Sequence, residues 1–516
     1  MRFAGCVRHI ALLVFAEDDA ELESLGCFVL EKDLDRTIDA GTVERVSTRL
    51  PTVSGAAPDS YRAIVYLAGP LVLSATGYMM MQFVDSLFLA WHSEAAVAAS
   101  VPASMTNFLA MSLFMGVSGY VSTFVAQYTG AKRPERVSAA VWQGLYFAVL
   151  SGLGIAMLAP FAEPLFAWMG HAPEIRALEA EYFRIVCYGA PVALSCNALG
   201  GFFTGRGDTR TFMLVQLAAV LLNAFLDYAL IFGAWGFPAL GMAGAAWATV
   251  AAQVFIAAAL GALFLAPAHR RAFATWTSRG FDRALFARLA RFGLPNGARI
   301  TVEVFAWSMF LTFVGRVGPS ELAATGIAWR INGIAFFPLI GLSTAIATLV
   351  GHAQGAGEPQ RAVNVTRRGL IVAEAWMLAS ALLFVCCPEW LFGHFHDPRT
   401  VSAEQFAPIQ ALGVTILRYV ALYCVLDGVT IVMLGALQGA GDTRWTMIAG
   451  AIMNATFYLA LLIMDTQGAG VIAYWIAATA FVMLQALVWL ARFVGGKWKA
   501  MRVIETAPQE AALVCE

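Results

Sequence analysis

The segment VAQYTGAKRPER at residues 125–136 occurs a second time in this chain, as VGHAQGAGEPQR at residues 350–361. Each copy follows a long apolar run and carries Gly-Ala, proline and arginine at matching positions. The segment GRGDTR at residues 205–210 likewise returns as GAGDTR at residues 439–444. The two offsets are 225 and 234 residues, so the sequence predicts two halves of similar structure.

The rest of the chain consists mostly of long apolar runs. Of its 516 residues, 59% are hydrophobic and only 13% are charged, against roughly 25% charged residues in a soluble domain. Twelve runs are long enough to cross a hydrocarbon core of about 30 Å at a rise of about 1.5 Å per residue. Pro70 and Pro295, again 225 residues apart, each lie in the first run of a half. We therefore predict an all-α integral membrane protein with twelve transmembrane helices in two parallel-repeat six-helix bundles.

These runs and the repeat divide the chain into five predicted segments. The first 60 residues carry clustered acids and lack the pattern of a signal peptide, so we expect a disordered cytoplasmic extension. The predicted boundaries are an N-terminal extension at 1–60, an N-terminal lobe at 61–266, an arginine-rich linker at 267–288, a C-terminal lobe at 289–495 and a C-terminal tail at 496–516.

The loops differ in charge from one side of the membrane to the other. On one side they hold nineteen lysines and arginines, and on the other side only Arg176, Arg316 and Arg399. Because positive loops stay in the cytoplasm, we expect both termini to be cytoplasmic. An even number of spans gives both halves the same orientation, with a pseudo-symmetry axis along the membrane normal.

Composition also limits the function. A net charge of −1 offers no excess of cations for nucleic acid. The eight cysteines form no CxxC pair, and we expect them to be core residues. No cluster with catalytic spacing lies in the apolar runs, so we expect neither an enzyme nor a cofactor. The extracellular His394, His396 and Asp397 form a weak candidate metal site.

Ionisable groups inside membrane spans are costly and are therefore functional candidates. In the C-terminal half, Glu303 and Asp427 count out at about 21 and about 15 Å from the same face. Tyr423 lies one turn before Asp427. Two carboxylates at similar depth predict a site for a proton or a shared Na⁺. The alternative is an ion pair, because Arg299 precedes Glu303 by four residues.

The N-terminal half has its own polar group. Asn223 and Asp227 are four residues apart, so they share a helix face, and Asn197 of the preceding run is a further amide that could join them. The alternative role for Asn223 is a hydrogen bond between helices. Asp85 counts out near the extracellular end of its run, where an acid needs no special role. Glu374 and Arg418, the remaining groups, could face an aqueous cavity or lie near an interface.

Several of these motifs resemble one family. Residues 61–495 are similar to the multidrug and toxic compound extrusion (MATE) family in both glycine-alanine segments and both Gly-x-Gly-Asp-Thr-Arg loops. The segment LAATGIAWR ending at Arg330 and the Asn223, Asp227 and Tyr228 pattern before GFPALG are also similar. The resemblance rests on the order of these motifs along one chain.

The resemblance assigns roles by motif. The family's acid 15 residues after a first-span proline matches Asp85, and its glutamate eight residues after the span 7 proline matches Glu303. Its span 10 aspartate, twelve residues before a loop glycine and four after a tyrosine, matches Asp427. Asn223 and Asp227 resemble the branch that couples through its N-terminal lobe. The chain thus carries the acids of both branches, while Arg299 lies outside the usual pattern.

The resemblance implies a two-lobed V that opens alternately to either side of the membrane. It further implies a monomer in the bacterial inner membrane that exchanges Na⁺ or H⁺ for an organic small molecule, commonly a lipophilic cation. The alternative within the same superfamily is a flippase for lipid-linked precursors. A flippase should have a strongly cationic cavity, whereas only Arg299 and Arg418 are available on the helices expected to line it.

Overall fold

The computed structural model describes residues 59–395 and 402–505, and within these ranges every regular element is a helix. Most of the predicted N-terminal extension, part of the C-terminal tail, and His396 and Asp397 lie outside the described residues. Twelve of the helical segments are long and apolar enough to cross a membrane, which confirms the predicted fold class. We refer to these segments as spans 1 to 12.

The spans of the two halves have the following bounds. Spans 1 to 6 are Tyr61–His92, Glu94–Gly130, Pro134–Trp168, Pro173–Arg206, Thr209–Phe232 and Met242–Phe264. Spans 7 to 12 are Arg283–Val317, Pro319–Ala356, Pro359–Cys386, Ala403–Ala440, Thr443–Thr466 and Val471–Val494. The short helices Pro267–Phe273 and Pro388–Gly393 lie in connections, and Tyr120 interrupts span 2.

Two spans begin earlier than the apolar runs, because each has a polar N-terminal cap. Span 7 begins at Arg283 and not near 289, since the Asp282 side chain accepts a hydrogen bond of 3.0 Å from the Leu285 backbone N–H. Span 10 begins at Ala403, where Ser402 and Gln405 form a reciprocal capping box. Such caps satisfy backbone donors that the helix leaves free.

The repeated loop motifs end one helix and start the next. Spans 4 and 10 end at Gly207 and Gly441, whose φ values of 85° and 100° are left-handed and favour glycine. Asp208 then caps span 5 by accepting from the Thr211 N–H, as predicted. Its counterpart Asp442 makes no such cap and instead pairs with Arg492 at 2.6 Å.

Helix packing in the second half repeats that in the first. Span 1 packs on span 5, span 2 on span 4, and span 4 on span 6. The equivalent pairs 7 and 11, 8 and 10, and 10 and 12 also pack together. Across the halves, span 1 contacts span 8 and span 2 contacts span 7, a pattern that exchanging the halves preserves.

Glycines allow the two halves to meet closely. Gly130 of span 2 lies against the backbone carbonyl of His352, and Gly355 of span 8 lies against that of Gln127. These two contacts are equivalent under the repeat, since the two glycines are the 225-residue partners. A side chain at either position would collide with the opposite backbone. The crossing lies at the end of the bundle that holds Arg136, Arg206, Arg288 and Arg444, which we call the arginine-rich face.

Candidate functional site

A buried polar cluster joins spans 1 and 5 in the N-terminal half. With its amide nitrogen turned towards the carboxylates, Asn223 donates to Asp85 Oδ1 at 3.0 Å and to Asp227 Oδ2 at 3.1 Å. Asn223 and Asp227 are 0% exposed. Their spacing of four residues puts both side chains on one face of span 5, as predicted, and Asp85 completes the cluster from the neighbouring helix.

The position of Asp85 explains why it joins this cluster. It lies seven residues before the end of span 1 at His92, close to the end of its span as residue counting indicated. Asp227 lies five residues before the end of span 5 at Phe232, on the same side of the membrane. The two acids therefore have similar depth, and the contact between spans 1 and 5 brings them together.

The cluster holds more carboxylate oxygens than hydrogen-bond donors. The carboxyl groups of Asp85 and Asp227 lie within hydrogen-bonding range of one another. Asp227 Oδ1 is buried and has no donor among the described residues. Neither acid forms a salt bridge with a lysine or arginine within residues 59–395 and 402–505. Two carboxylates so close in a medium of low dielectric favour binding of a cation, since like charges there repel strongly.

Asn197 does not join this cluster. The structure shows no hydrogen bond from Asn197 to Asn223 or Asp227 among the described residues. Asn197 lies nine residues from the end of span 4 at Arg206, whereas Asp227 lies eighteen residues from the start of span 5 at Thr209. At about 1.5 Å per residue, their depths differ by about 14 Å.

In the C-terminal half, Glu303 is held by an ion pair. Arg299 Nη1 donates to Glu303 Oε2 at 2.5 Å, and the two side chains are 7% and 33% exposed. The spacing of four residues on span 7 makes this contact possible. The structure thus contains the ion pair that the sequence left open as an alternative to cation binding at Glu303.

Asp427 and Tyr423 are both buried on span 10, at 8% and 4% exposure. Within the described residues Asp427 has no salt bridge. Glu303 and Glu374 both lie close enough to repel it electrostatically. The C-terminal half therefore also concentrates negative charge, but Arg299 neutralises one of its three acids.

Glu374 is the group whose placement the sequence left open. It comes from span 9 and packs against Gly428, directly beside Asp427 on span 10. Its Oε1 atom is buried and has no hydrogen-bond partner among the described residues. A glycine after Asp427 leaves room for this carboxylate, since any Cβ at Gly428 would contact Glu374 Oε1 at 2.6 Å. That glycine is the one sequence signal that points to Glu374.

The predicted shared Na⁺ site at Glu303 and Asp427 stays a prediction. In the parts of the chain that the structure describes, no three histidine, cysteine, aspartate or glutamate side chains are grouped so that they could hold a metal ion. The two acids lie at the depth expected for them, but Glu303 already has Arg299 as its cation.

Comparison with protein families and curated proteins gives consistent matches. The MatE family model matches residues 70–229 and 300–462. The chain is 32% identical over 425 residues to a probable multidrug resistance protein NorM of Pseudomonas putida, covering 80% of this chain and 90% of that protein. It is 30% identical over 406 residues to a probable multidrug resistance protein NorM of Burkholderia pseudomallei, covering 78% and 84%.

Solved structures share the fold at lower sequence identity. An outward-facing multidrug resistance MATE family transporter of the MOP superfamily aligns with a TM-score of 0.75 and 20% identity, covering 85% of this chain and 96% of the other. A MOP superfamily transporter from Pyrococcus furiosus aligns with a TM-score of 0.75 and 22% identity, covering 86% and 97%. The second is described as having a binding pocket of reverse polarity that suggests a different function. The fold therefore does not by itself identify a substrate.

Proposed function

This chain belongs to the MatE family of multidrug efflux transporters, and from that premise we propose that it is an antiporter that exchanges protons for organic compounds. It is a transporter and not an enzyme. The single observation that carries the proposal is the Asp85, Asn223 and Asp227 cluster. We assign the coupling site to this cluster in the N-terminal half.

The cluster suits a proton for two reasons. The amide nitrogen of Asn223 faces both carboxylates, so its donors hold the two acids in place. The remaining contact, between the carboxyl groups of Asp85 and Asp227, needs one hydrogen between its two oxygens. One proton provides that hydrogen and removes one of two buried negative charges.

Proton binding and substrate binding are linked through the same charge. Without the proton the cluster is strongly negative and attracts a cationic substrate into the transporter. A proton that arrives from the outside lowers that attraction and favours release. Exchange then follows from the different affinities of the two ligands for the two access states.

The proposed setting is the bacterial inner membrane, with the arginine-rich face and both termini in the cytoplasm. The proposed substrates are organic small molecules that are lipophilic and often cationic, bound by a monomeric protein within the bilayer. Two of the relatives are named multidrug resistance proteins, and the comparisons do not favour the flippase alternative.

Efflux from proteoliposomes tests the proposal. Wild-type protein should export ethidium when a pH gradient is imposed and should respond weakly to a Na⁺ gradient of equal size. Asp227→Asn and Asp85→Asn should each reduce proton-driven efflux at least tenfold. Asp465→Asn, which removes a carboxylate paired with Arg316 at the far end of span 11, is the matched control and should retain activity.

Two results would overturn the assignment. Efflux that follows the Na⁺ gradient and ignores the pH gradient would exclude protons as the coupling ion. Full proton-driven efflux in Asp227→Asn, with loss in Glu303→Gln or Asp427→Asn, would move the coupling site to the C-terminal half.

A further inference from the structure

The connection between the two halves carries a dense positive charge. Between the end of span 6 at Phe264 and the first residue of span 7, it holds Arg270, Arg271, Arg279 and Arg283 and a single acid, Asp282. That acid is already paired with Arg136 at 2.9 Å. The four arginines are exposed, and none forms a salt bridge with a carboxylate among the described residues. We call these four residues the linker arginines.

Exposed aromatic side chains accompany the linker arginines. Trp276 is 45% exposed and Phe281 is 62% exposed. The guanidinium groups of Arg270 and Arg279 lie 5.2 and 4.5 Å from the Trp276 ring centroid. A tryptophan beside cations is the combination that proteins place at the level of lipid headgroups, since the ring has an apolar body and a polar N–H.

The linker is fixed to span 3 and is therefore a built surface. Trp142 Nε1 donates to the Thr275 carbonyl at 2.7 Å, and Gln143 Nε2 donates to the Gly280 carbonyl at 3.1 Å. Gln143 Oε1 accepts from the Asp282 N–H at 3.2 Å, and Tyr146 donates to the Arg279 carbonyl. One face of span 3 thus holds the backbone of the linker and leaves its arginines outward.

Chain continuity places this surface at the edge of the bilayer. Each membrane span that flanks the linker ends within a few residues of it, so the arginines can lie no further than a headgroup layer from the hydrocarbon. Clusters of four or more arginines directly beside a membrane span attract anionic lipids. Planar guanidinium groups also match the oxygens of a phosphate.

We propose that the linker arginines, with Trp276 and Phe281, form a binding site for the headgroup of an anionic phospholipid. The phosphate and any further negative group contact the guanidinium groups, while the acyl chains run beside Phe281 and the ends of spans 6 and 7. The site lies on the connection between the halves, so a bound lipid would contact the segment that spans 6 and 7 share.

Native mass spectrometry in detergent tests the site directly. Equal amounts of phosphatidylglycerol and phosphatidylcholine with matched acyl chains are added to the purified full-length protein. Wild type should retain phosphatidylglycerol at least threefold more than phosphatidylcholine. Replacing all four linker arginines with glutamine should bring this ratio close to one. Lys497→Gln with Lys499→Gln, which removes exposed charges from the same face, should leave the ratio unchanged.

A second measurement does not depend on the stability of the fourfold variant. Brominated phosphatidylglycerol should quench tryptophan fluorescence more strongly in wild type than in Trp276→Phe, and brominated phosphatidylcholine should show a smaller difference. The proposal is wrong if the fourfold variant keeps the wild-type ratio or if the lysine control loses it equally. It is also wrong if Trp276→Phe does not change quenching by either lipid. Both readouts are lipid binding, so they are independent of the coupling ion.

Discussion

Tyr128, near the end of span 2, donates a hydrogen bond of 2.7 Å to Glu505, the last described residue of the C-terminal segment. Arg133 and Arg136 each approach the same carboxylate at 3.0 Å, and Arg288 also bonds to it. The C-terminal segment follows span 12, yet its acid is held by groups of spans 2, 3 and 7. It therefore ties the two halves together at the arginine-rich face.

This contact predicts a defined loss of stability. Glu505→Gln should destabilise the protein by roughly 1–3 kcal/mol, because hydrogen bonds to a charged group are lost and three arginines lose their anion. The measurement is thermal unfolding in detergent, together with the rate of proteolysis of the C-terminal segment. Glu358→Gln, which removes an exposed pair with Arg361, should change neither. Equal behaviour of the two variants would contradict the role of Glu505.

The same group makes a prediction about pH. Burial opposes ionisation, but the Tyr128 hydroxyl, the residue's own backbone, Arg136 and Arg288 favour the anion and lower the Glu505 pKa from 4.5 to about 2. A depressed pKa means that the carboxylate stabilises the fold fully above about pH 4.5 and loses this effect as the pH falls towards 2. The stability difference between wild type and Glu505→Gln should stay constant from pH 8 to about pH 5 and shrink below about pH 4.5. A difference that disappears between pH 8 and pH 6 would rule this explanation out.

The glycine crossing between spans 2 and 8 gives a steric prediction. Gly130→Ala or Gly355→Ala places a methyl group against a backbone carbonyl of the other half, so each should destabilise the protein by about 1–3 kcal/mol. The matched control is Gly326→Ala in span 8, where a Cβ has open space. Thermal unfolding of the three variants is the measurement. Wild-type stability of Gly130→Ala and Gly355→Ala would show that the halves do not meet as described.

The ion pair in span 7 separates a structural role from coupling. Glu303→Gln leaves Arg299, which is 7% exposed, without its partner and should cost roughly 1–3 kcal/mol of stability. Arg299→Gln combined with Glu303→Gln should recover much of this loss, because no uncompensated charge remains. If the double variant also regains proton-driven efflux, Glu303 acts through the fold. Normal stability of Glu303→Gln would contradict the ion pair.

Much of the fold could be predicted because it depends on local chemistry. Long apolar runs fix the number of spans, and the left-handed turns at Gly207 and Gly441 need residues that the repeat displays openly. Helix starts were less accurate. The caps at Asp282 and Ser402 extend spans 7 and 10 into polar sequence that hydropathy does not count as membrane-spanning.

The candidate site could be predicted only in part, because depth along one helix says little about neighbours. The spacing of Asn223 and Asp227 put them on one face, and that prediction is confirmed. Counting from the extracellular ends of both spans would have matched Asp85 to Asp227. Asn197 was misplaced for the same reason, since its depth was not compared with theirs. Glu374 depends on the packing of spans 9 and 10, which the sequence alone does not reveal.

Proton release on substrate binding tests the central claim most directly. Purified protein in a weakly buffered solution with a pH dye should release protons when a transported cation is added, in an amount that saturates with the substrate. Asp85→Asn and Asp227→Asn should bind the substrate without this release, and Asp465→Asn should behave like wild type. Undiminished release from Asp227→Asn, or substrate binding by wild type with no release at any pH between 5 and 9, would contradict the assignment of coupling to the Asp85, Asn223 and Asp227 cluster.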